Sequence, residues 1–247
     1  MSTSIRCLPA LLCALASAAR ADGLDRDALL TEAPATPHSG TVRVSAGANS
    51  QTTDPTNATT IAGDIMWAPF QNFAADVGTY WQNSENGPTA RLRVQLLSQS
   101  SFGVDLGLGV RFKKIGFFTH PLDGSPNGEL EFLVAVGRRF GPLDLILNGV
   151  FGAETGGPGK DLEAKAFVGY HFLENLRAGI DGRLQAEFVD ENGTKTPGSE
   201  DMDLTVGPAV SWLILQRLQL QALVGLAKPK GGTAATGAGL ILVSADF

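Results

Sequence analysis

The chain has 247 residues, with 25 Asp and Glu against 19 Lys and Arg, and 43% of it is apolar. A modest acidic excess argues against a nucleic-acid partner. The lack of any run of about 18 apolar residues beyond the first stretch excludes a helical membrane protein. Glycine is abundant at 30 residues but shows no collagen period; in strands it suits bends and small inward positions.

In chain order, Arg6 precedes the apolar run Cys7 to Ala16, and Ala19-Arg-Ala21 follows as an A-x-A cleavage pattern. This predicts an export signal over residues 1–21, removed before about Asp22. Cys7 and Cys13 both lie inside it, so the expected mature chain holds no disulfide and must be stabilised by packing, hydrogen bonds or its surroundings. Residues 22–39 are polar, carry Pro34 and Pro37, and lack period-2 alternation; they read as a loosely ordered periplasmic lead segment.

From Gly40 to Phe247 a period-2 pattern takes over, with strands expected near 41–51, 59–69, 73–83, 89–98, 102–115, 129–140, 143–154, 161–173, 176–188, 203–214, 217–228 and 235–247. Short links (Phe70 to Phe73, Ser98 to Ser101, Gly141-Pro142, Leu173 to Asn175, Leu215-Gln216) alternate strictly with longer polar ones. The longer links are Thr52 to Asn57, Asn83 to Pro88, Phe118 to Asn127, Thr155 to Lys160, Val189 to Met202 and Lys228 to Thr233. Such alternation is the requirement of an up-and-down barrel with turns at one rim and loops at the other. Pro208 cannot donate a ladder bond, and a local bulge or kink is expected there.

Alternate residues separate an apolar face from a charged one. In the ninth strand Leu176, Ala178, Ile180, Leu184 and Phe188 oppose Arg177, Asp181, Arg183, Gln185 and Glu187. Aromatic residues gather toward both strand ends. Trp67, Phe70, Phe102, Phe140, Tyr170 and Trp212 lie near the short turns; Tyr80, Trp81, Phe112, Phe132, Phe151 and Phe188 lie toward the long loops. Two aromatic girdles around an aliphatic band are what two water–lipid interfaces select, and a sheet in lipid must close on itself. The fold class is therefore all-β: a single closed antiparallel up-and-down transmembrane β-barrel of about twelve strands over 40–247.

On these features the chain resembles the Gram-negative outer-membrane β-barrel proteins, a porin-like class, without a signature of one family. The resemblance implies residence in the bacterial outer membrane, with lipid around the barrel. It also implies that Phe247, on the same face as Val243 and Ile241, is the assembly signal through which the C-terminal strand meets the barrel-insertion machinery. Ala245, where an aromatic is common, departs from that signal.

Twelve strands fall between barrels filled by side chains and barrels holding an aqueous channel. Arg91, Arg93, Arg111 and Lys113 form a basic cluster on the expected inward face. Glu129, Glu131, Glu154, Glu163, Glu187 and Asp203 form an acidic wall, interrupted by Lys165. Facing walls of opposite sign would orient small polar solutes in a narrow diffusive pore. Paired across neighbouring strands, the same charges would form ladders that fill the lumen. The residues leave both readings open: a small porin-like channel for passive diffusion of hydrophilic solutes, or a filled structural barrel that binds partners through Phe118–Asn127 and Val189–Met202.

A lipid hydrolase is the enzyme alternative. It needs Ser and His within hydrogen-bond reach. His38 lies in the lead segment, His120 in a loop, and His171 on the inward face with no obvious serine beside it. Gly156 to Lys160 fails the phosphate-loop pattern, because Glu154 and Asp161 occupy its first and last positions. The acidic loop from Asp190 lacks EF-hand spacing. No catalytic residue, cofactor or metal site is expected.

Overall fold

The computed structural model describes residues 24–52, 57–82, 85–114, 128–189, 193–195, 202–228 and 234–247. The expected export signal, His120 and the loop Phe118–Asn127 lie outside the described residues, as does most of Val189–Met202.

Alternation of apolar and polar residues produces strands where predicted. They are β1 (Val42–Thr52), β2 (Asn57–Phe70), β3 (Phe73–Gln82), β4 (Glu85–Leu97), β5 (Asp105–Lys114) and β6 (Gly128–Phe140). The second half comprises β7 (Leu143–Glu154), β8 (Lys160–Leu173), β9 (Leu176–Val189), β10 (Met202–Ile214), β11 (Leu218–Lys228) and β12 (Thr236–Asp246). Each pairs antiparallel with its chain neighbours, and β1 pairs with β12 to close the barrel. Phe247 completes that seam: its N–H donates to Val42 O at 2.8 Å and its carbonyl accepts from Val42 N at 3.1 Å.

The short turns are tight. Asn72 (φ 66°) and Gly141 (φ 60°) take the left-handed conformation that two-residue hairpins demand. Leu215 and Gln216 adopt it too (φ 53° and 62°), and Leu215 is exposed. The link between β4 and β5 is one helical turn, α1 (Gln99–Phe102), ended by Gly103 at φ 78°, which is why β5 starts three residues later than predicted. No bulge forms at Pro208. The β10–β11 register is the same at Val206↔Leu226 and at Ala209↔Leu223, and Pro208 stays in step with Ile180 of β9. Gly207 and Gly225 let the backbones pass closely here: an added Cβ on Gly207 would meet Val224 O at 2.5 Å.

The facing follows the predicted parity. Val224 is 71% exposed and Ile180 52%, whereas Arg177 of the opposite parity is 6% exposed. Trp67, Phe70, Phe102, Phe140, Phe172 and Trp212 are exposed on the outer face at the short-turn end. At the long-loop end Phe132, Phe151 and Phe188 form a row of rings 6.2–6.5 Å apart. Tyr80 departs from the expected girdle, lining the lumen beside Arg91.

The main correction concerns the lead segment. Of residues 22–39, expected to be loosely ordered in the periplasm, 24–37 run inside the barrel, and His38 and Ser39 are exposed. Leu24, Ala28, Thr31, Ala33 and Ala35 are buried there. A lumen wall carrying Ile146, Phe167, Ala209 and Leu223 on its inward face presents apolar surface that water would cover at a cost. Leu24 and Ala28 pack onto that surface instead. Burying a side chain such as Leu24 contributes about 1.5–3 kcal/mol.

Candidate functional site

The lumen segment is a loop with its base near the short-turn rim and its tip near mid-barrel. Ala35 N donates to Leu24 O at 3.3 Å at the base, and Ala28 N donates to Thr31 O at 2.8 Å at the tip. Irregular backbone is tolerated at this depth only where protein groups satisfy it, and here the wall supplies them. Leu30 N and Thr31 Oγ1 donate to the two carboxylate oxygens of Asp181, at 2.8 and 2.6 Å. Asn148 accepts from Glu32 N at 2.7 Å and donates to Glu32 O at 2.9 Å. Gln221 and Arg177 donate to Asp27 O, and Gln95 accepts from Thr36 N.

Small wall residues make the room. An added Cβ on Gly137 would meet Leu24 Cδ1 at 2.6 Å and Pro34 Cγ at 2.8 Å. One on Gly107 would collide with Pro34 O. At the seam Arg26 pairs with Asp246 at 2.5 Å, and Arg43 holds the same carboxylate at 2.7 Å.

The predicted basic cluster is brought together on β4 and β5, and its charges are compensated from two sources. Arg91 pairs with Asp76 of β3 at 2.8 Å and with Asp27 of the segment at 3.6 Å. Arg111 pairs with Glu131 of β6, and with Glu32 of the segment at 3.6 Å. Lys113 holds Glu129 at 2.6 Å and Glu131 at 2.9 Å. Arg93 pairs with Asp27 at 3.0 Å and lies 3.0 Å from Met66 Sδ. The charges are thus tied across adjacent strands and to the segment, instead of facing one another across open space.

Burial alone would raise the Asp27 carboxyl. Arg93 and Arg91, with the Ala33 N–H and Arg43, outweigh it and hold that carboxyl well below the usual carboxylate range.

The predicted acidic residues divide. Glu129, Glu131 and Glu163 join the ladders, Glu163 pairing with Lys165 at 3.0 Å and Arg183 at 3.0 Å. Glu154 turns instead onto its loop, accepting from Gly159 N at 3.3 Å. Glu187 stands opposite Asp161 and Asp203 opposite Gln185, both toward the long-loop rim.

Lys165, noted in the sequence only as an interruption of the acidic wall, is the anchor of Glu32, at 3.1 Å from each carboxylate oxygen. The signal for a lumen filler was present: Phe167, Ile146, Leu133 and Leu223 lie on the charged parity and need apolar cover. His171 donates to Asp144 at 2.7 Å, in a knot that Arg139 and Arg177 share.

On the long-loop side of the segment lies a cavity of about 390 Å³, lined by Leu29, Glu32, Asp64, Tyr80, Arg91 and Arg111 among others. The segment is its floor. Among the described residues no group of three or more His, Cys, Asp or Glu has metal-binding geometry.

A scan of family models and a search of curated proteins find no match for this chain. Solved structures do match. The NanC porin superposes with a TM-score of 0.58 at 10% identity, covering 83% of this chain and 98% of that one. An outer-membrane channel from Pseudomonas putida F1 gives 0.56 at 13% identity, covering 86% and 97%. The KdgM porin gives 0.54 at 14% identity, covering 82% and 99%. The fold is that of outer-membrane channel barrels.

Proposed function

We propose that this chain is a bacterial outer-membrane channel for small polar solutes, held shut by its own segment 24–39 in the state described. One observation carries the reading: the lumen is filled by a tethered loop lying outside the sheet, and the wall's side chains alone leave room for it. A barrel that needed only a solid core would close with larger side chains at Gly107 and Gly137. The apolar outer face with aromatic ends supports lipid as the surrounding medium, and the fold shared with porins and a channel supports transport over catalysis.

The alternative, a filled structural barrel, is favoured by how fully the loop's polar groups are satisfied. Planar-bilayer recording separates the two. The folded barrel lacking 24–36 should conduct in steps where the full mature chain is quiet. A truncated, correctly folded barrel with no conductance at any salt would favour the filled barrel. In the open form, charge reversal at Arg91 and Arg93 should move the ion preference toward cations.

A further inference from the structure

Arg91, Arg111 and Lys165 each touch two carboxylates, one from the barrel wall (Asp76 and Glu131 on neighbouring strands, Glu163 on the strand of Lys165 itself) and one from the lumen segment (Asp27, Glu32). If the segment leaves, these three cations keep a wall partner. Arg93 differs. Its one ion pair among the described residues is with Asp27, and it is 5% exposed beneath the segment. Withdrawal of the loop would therefore leave a guanidinium facing the lumen with no direct ion-pair partner, Asp76 acting on it only from beyond pairing distance, and an incoming anion would replace the lost carboxylate.

The cavity on the long-loop side brings a solute to this point. Asp27 and Glu32 are on its floor, with Arg91 and Arg111 on its wall. Asp64 of β2 and Asp76 of β3 also face it, so a solute must offer its charge at the floor and not against those two strands.

From this geometry we infer that segment 24–36 is a tethered stand-in for an acidic solute. Asp27 and Glu32 occupy cation positions that the carboxylates of a small mono- or dicarboxylate take over, and the exchange undocks the segment. Planar guanidinium groups favour carboxylates bidentately, so the incoming group recovers the interaction that Asp27 gives up. A ligand shifts such an equilibrium only through its differential affinity for the two states. Arg93, screened by Asp27 in one state and open in the other, provides that difference.

The inference rests on the channel reading, and its test uses a readout that needs no current. Ala28 is buried between the segment's tip, of which it is part, and the wall, and the chain's native cysteines, Cys7 and Cys13, fall within the expected export signal. Ala28→Cys in the purified, folded barrel thus gives a single thiol whose maleimide labelling reports undocking. Glutarate should speed labelling about tenfold or more, the response to a bias of about 1.4 kcal/mol. At ionic strength matched with sodium chloride, 1,5-pentanediol and 1,5-diaminopentane should not.

Asp27→Asn with Glu32→Gln should label fast without glutarate. Should that pair not fold, Arg93→Gln should label fast and lose the glutarate response. Equal labelling with glutarate and pentanediol, or faster labelling with the diamine, overturns the inference while leaving the channel reading to the conductance of the truncated barrel. Silence of that truncated barrel removes the channel even if glutarate still exposes the thiol.

Discussion

Asp27, on a loop outside the sheet, sits 3.0 Å from Arg93 of β4, and no strand carboxylate among the described residues comes within ion-pair distance of that guanidinium. The pair joins the lumen segment to the wall at β4. Its partners are unequal in exposure, the Asp27 side chain at 26% and Arg93 at 5%. Removing one member of a fully buried pair costs about 3–5 kcal/mol, and the partial exposure of Asp27 reduces this toward the about 1.5–3 kcal/mol of a hydrogen bond to a charged group. Arg93→Gln and Asp27→Asn should each loosen the segment by that smaller amount. Together they should cost less than their sum, which a double-mutant cycle on segment hydrogen exchange would measure.

Gly107 should behave as a steric switch. Any Cβ there must displace Pro34, whose carbonyl oxygen occupies the space. Gly107→Ala is expected to raise the conductance of the full chain and to leave the barrel lacking 24–36 unchanged. Gly149, around which no atom lies within 4 Å of an added Cβ, is the control, and Gly149→Ala should do neither. Equal conductance of Gly107→Ala and the parent chain would show that the segment yields without undocking.

The outer face carries a stability prediction. Val224 lies near the middle of β11 and is 71% exposed. In a bilayer, Val224→Arg should cost about 2–4 kcal/mol, the range for a basic residue at the midplane of a transmembrane barrel. Reversible unfolding in lipid vesicles would read it. A change below about 0.5 kcal/mol, typical of a water-exposed surface position, would argue that this face does not meet lipid.

The pH dependence of docking follows from Asp27. Its carboxyl is held below the ordinary value of about 4 by Arg93 and Arg91 against the opposing effect of burial. A depressed carboxylate contributes stability above the ordinary value and loses it as pH falls through the depressed one. Hydrogen exchange at the Ala33 amide, which donates to Asp27 Oδ1 at 2.7 Å, corrected for intrinsic rates, should therefore stay protected from about pH 8 to pH 5. Loss of protection should be confined to stronger acid. Release already at pH 6 would mean that another group controls the loop.

Strand positions, the order of turns and loops, and the facing of Val224, Ile180 and Arg177 were legible in the sequence, because in a strand every second side chain shares a face. The clustering of Arg91, Arg93, Arg111 and Lys113 was legible for the same reason, since antiparallel neighbours follow in chain order. Besides the place of the lead segment, three features were missed. Lys165 read as an interruption of an acidic wall although it anchors Glu32, and Tyr80 read as part of a girdle although it faces the lumen. Pro208 read as a bulge, yet Gly207 and Gly225 let the strands pass in register.

Alternation by itself determined the closed barrel, its apolar exterior and its charged interior, since period-2 patterning is local and needs no knowledge of distant partners. Only the tertiary structure decided what fills that interior. Residues 24–39 have no periodicity to announce their place; their position depends on Asp181, Asn148, Lys165 and Arg93, which lie between 66 and 151 residues away along the chain in the contacts they make. Those partners converge only once the sheet has closed around the segment.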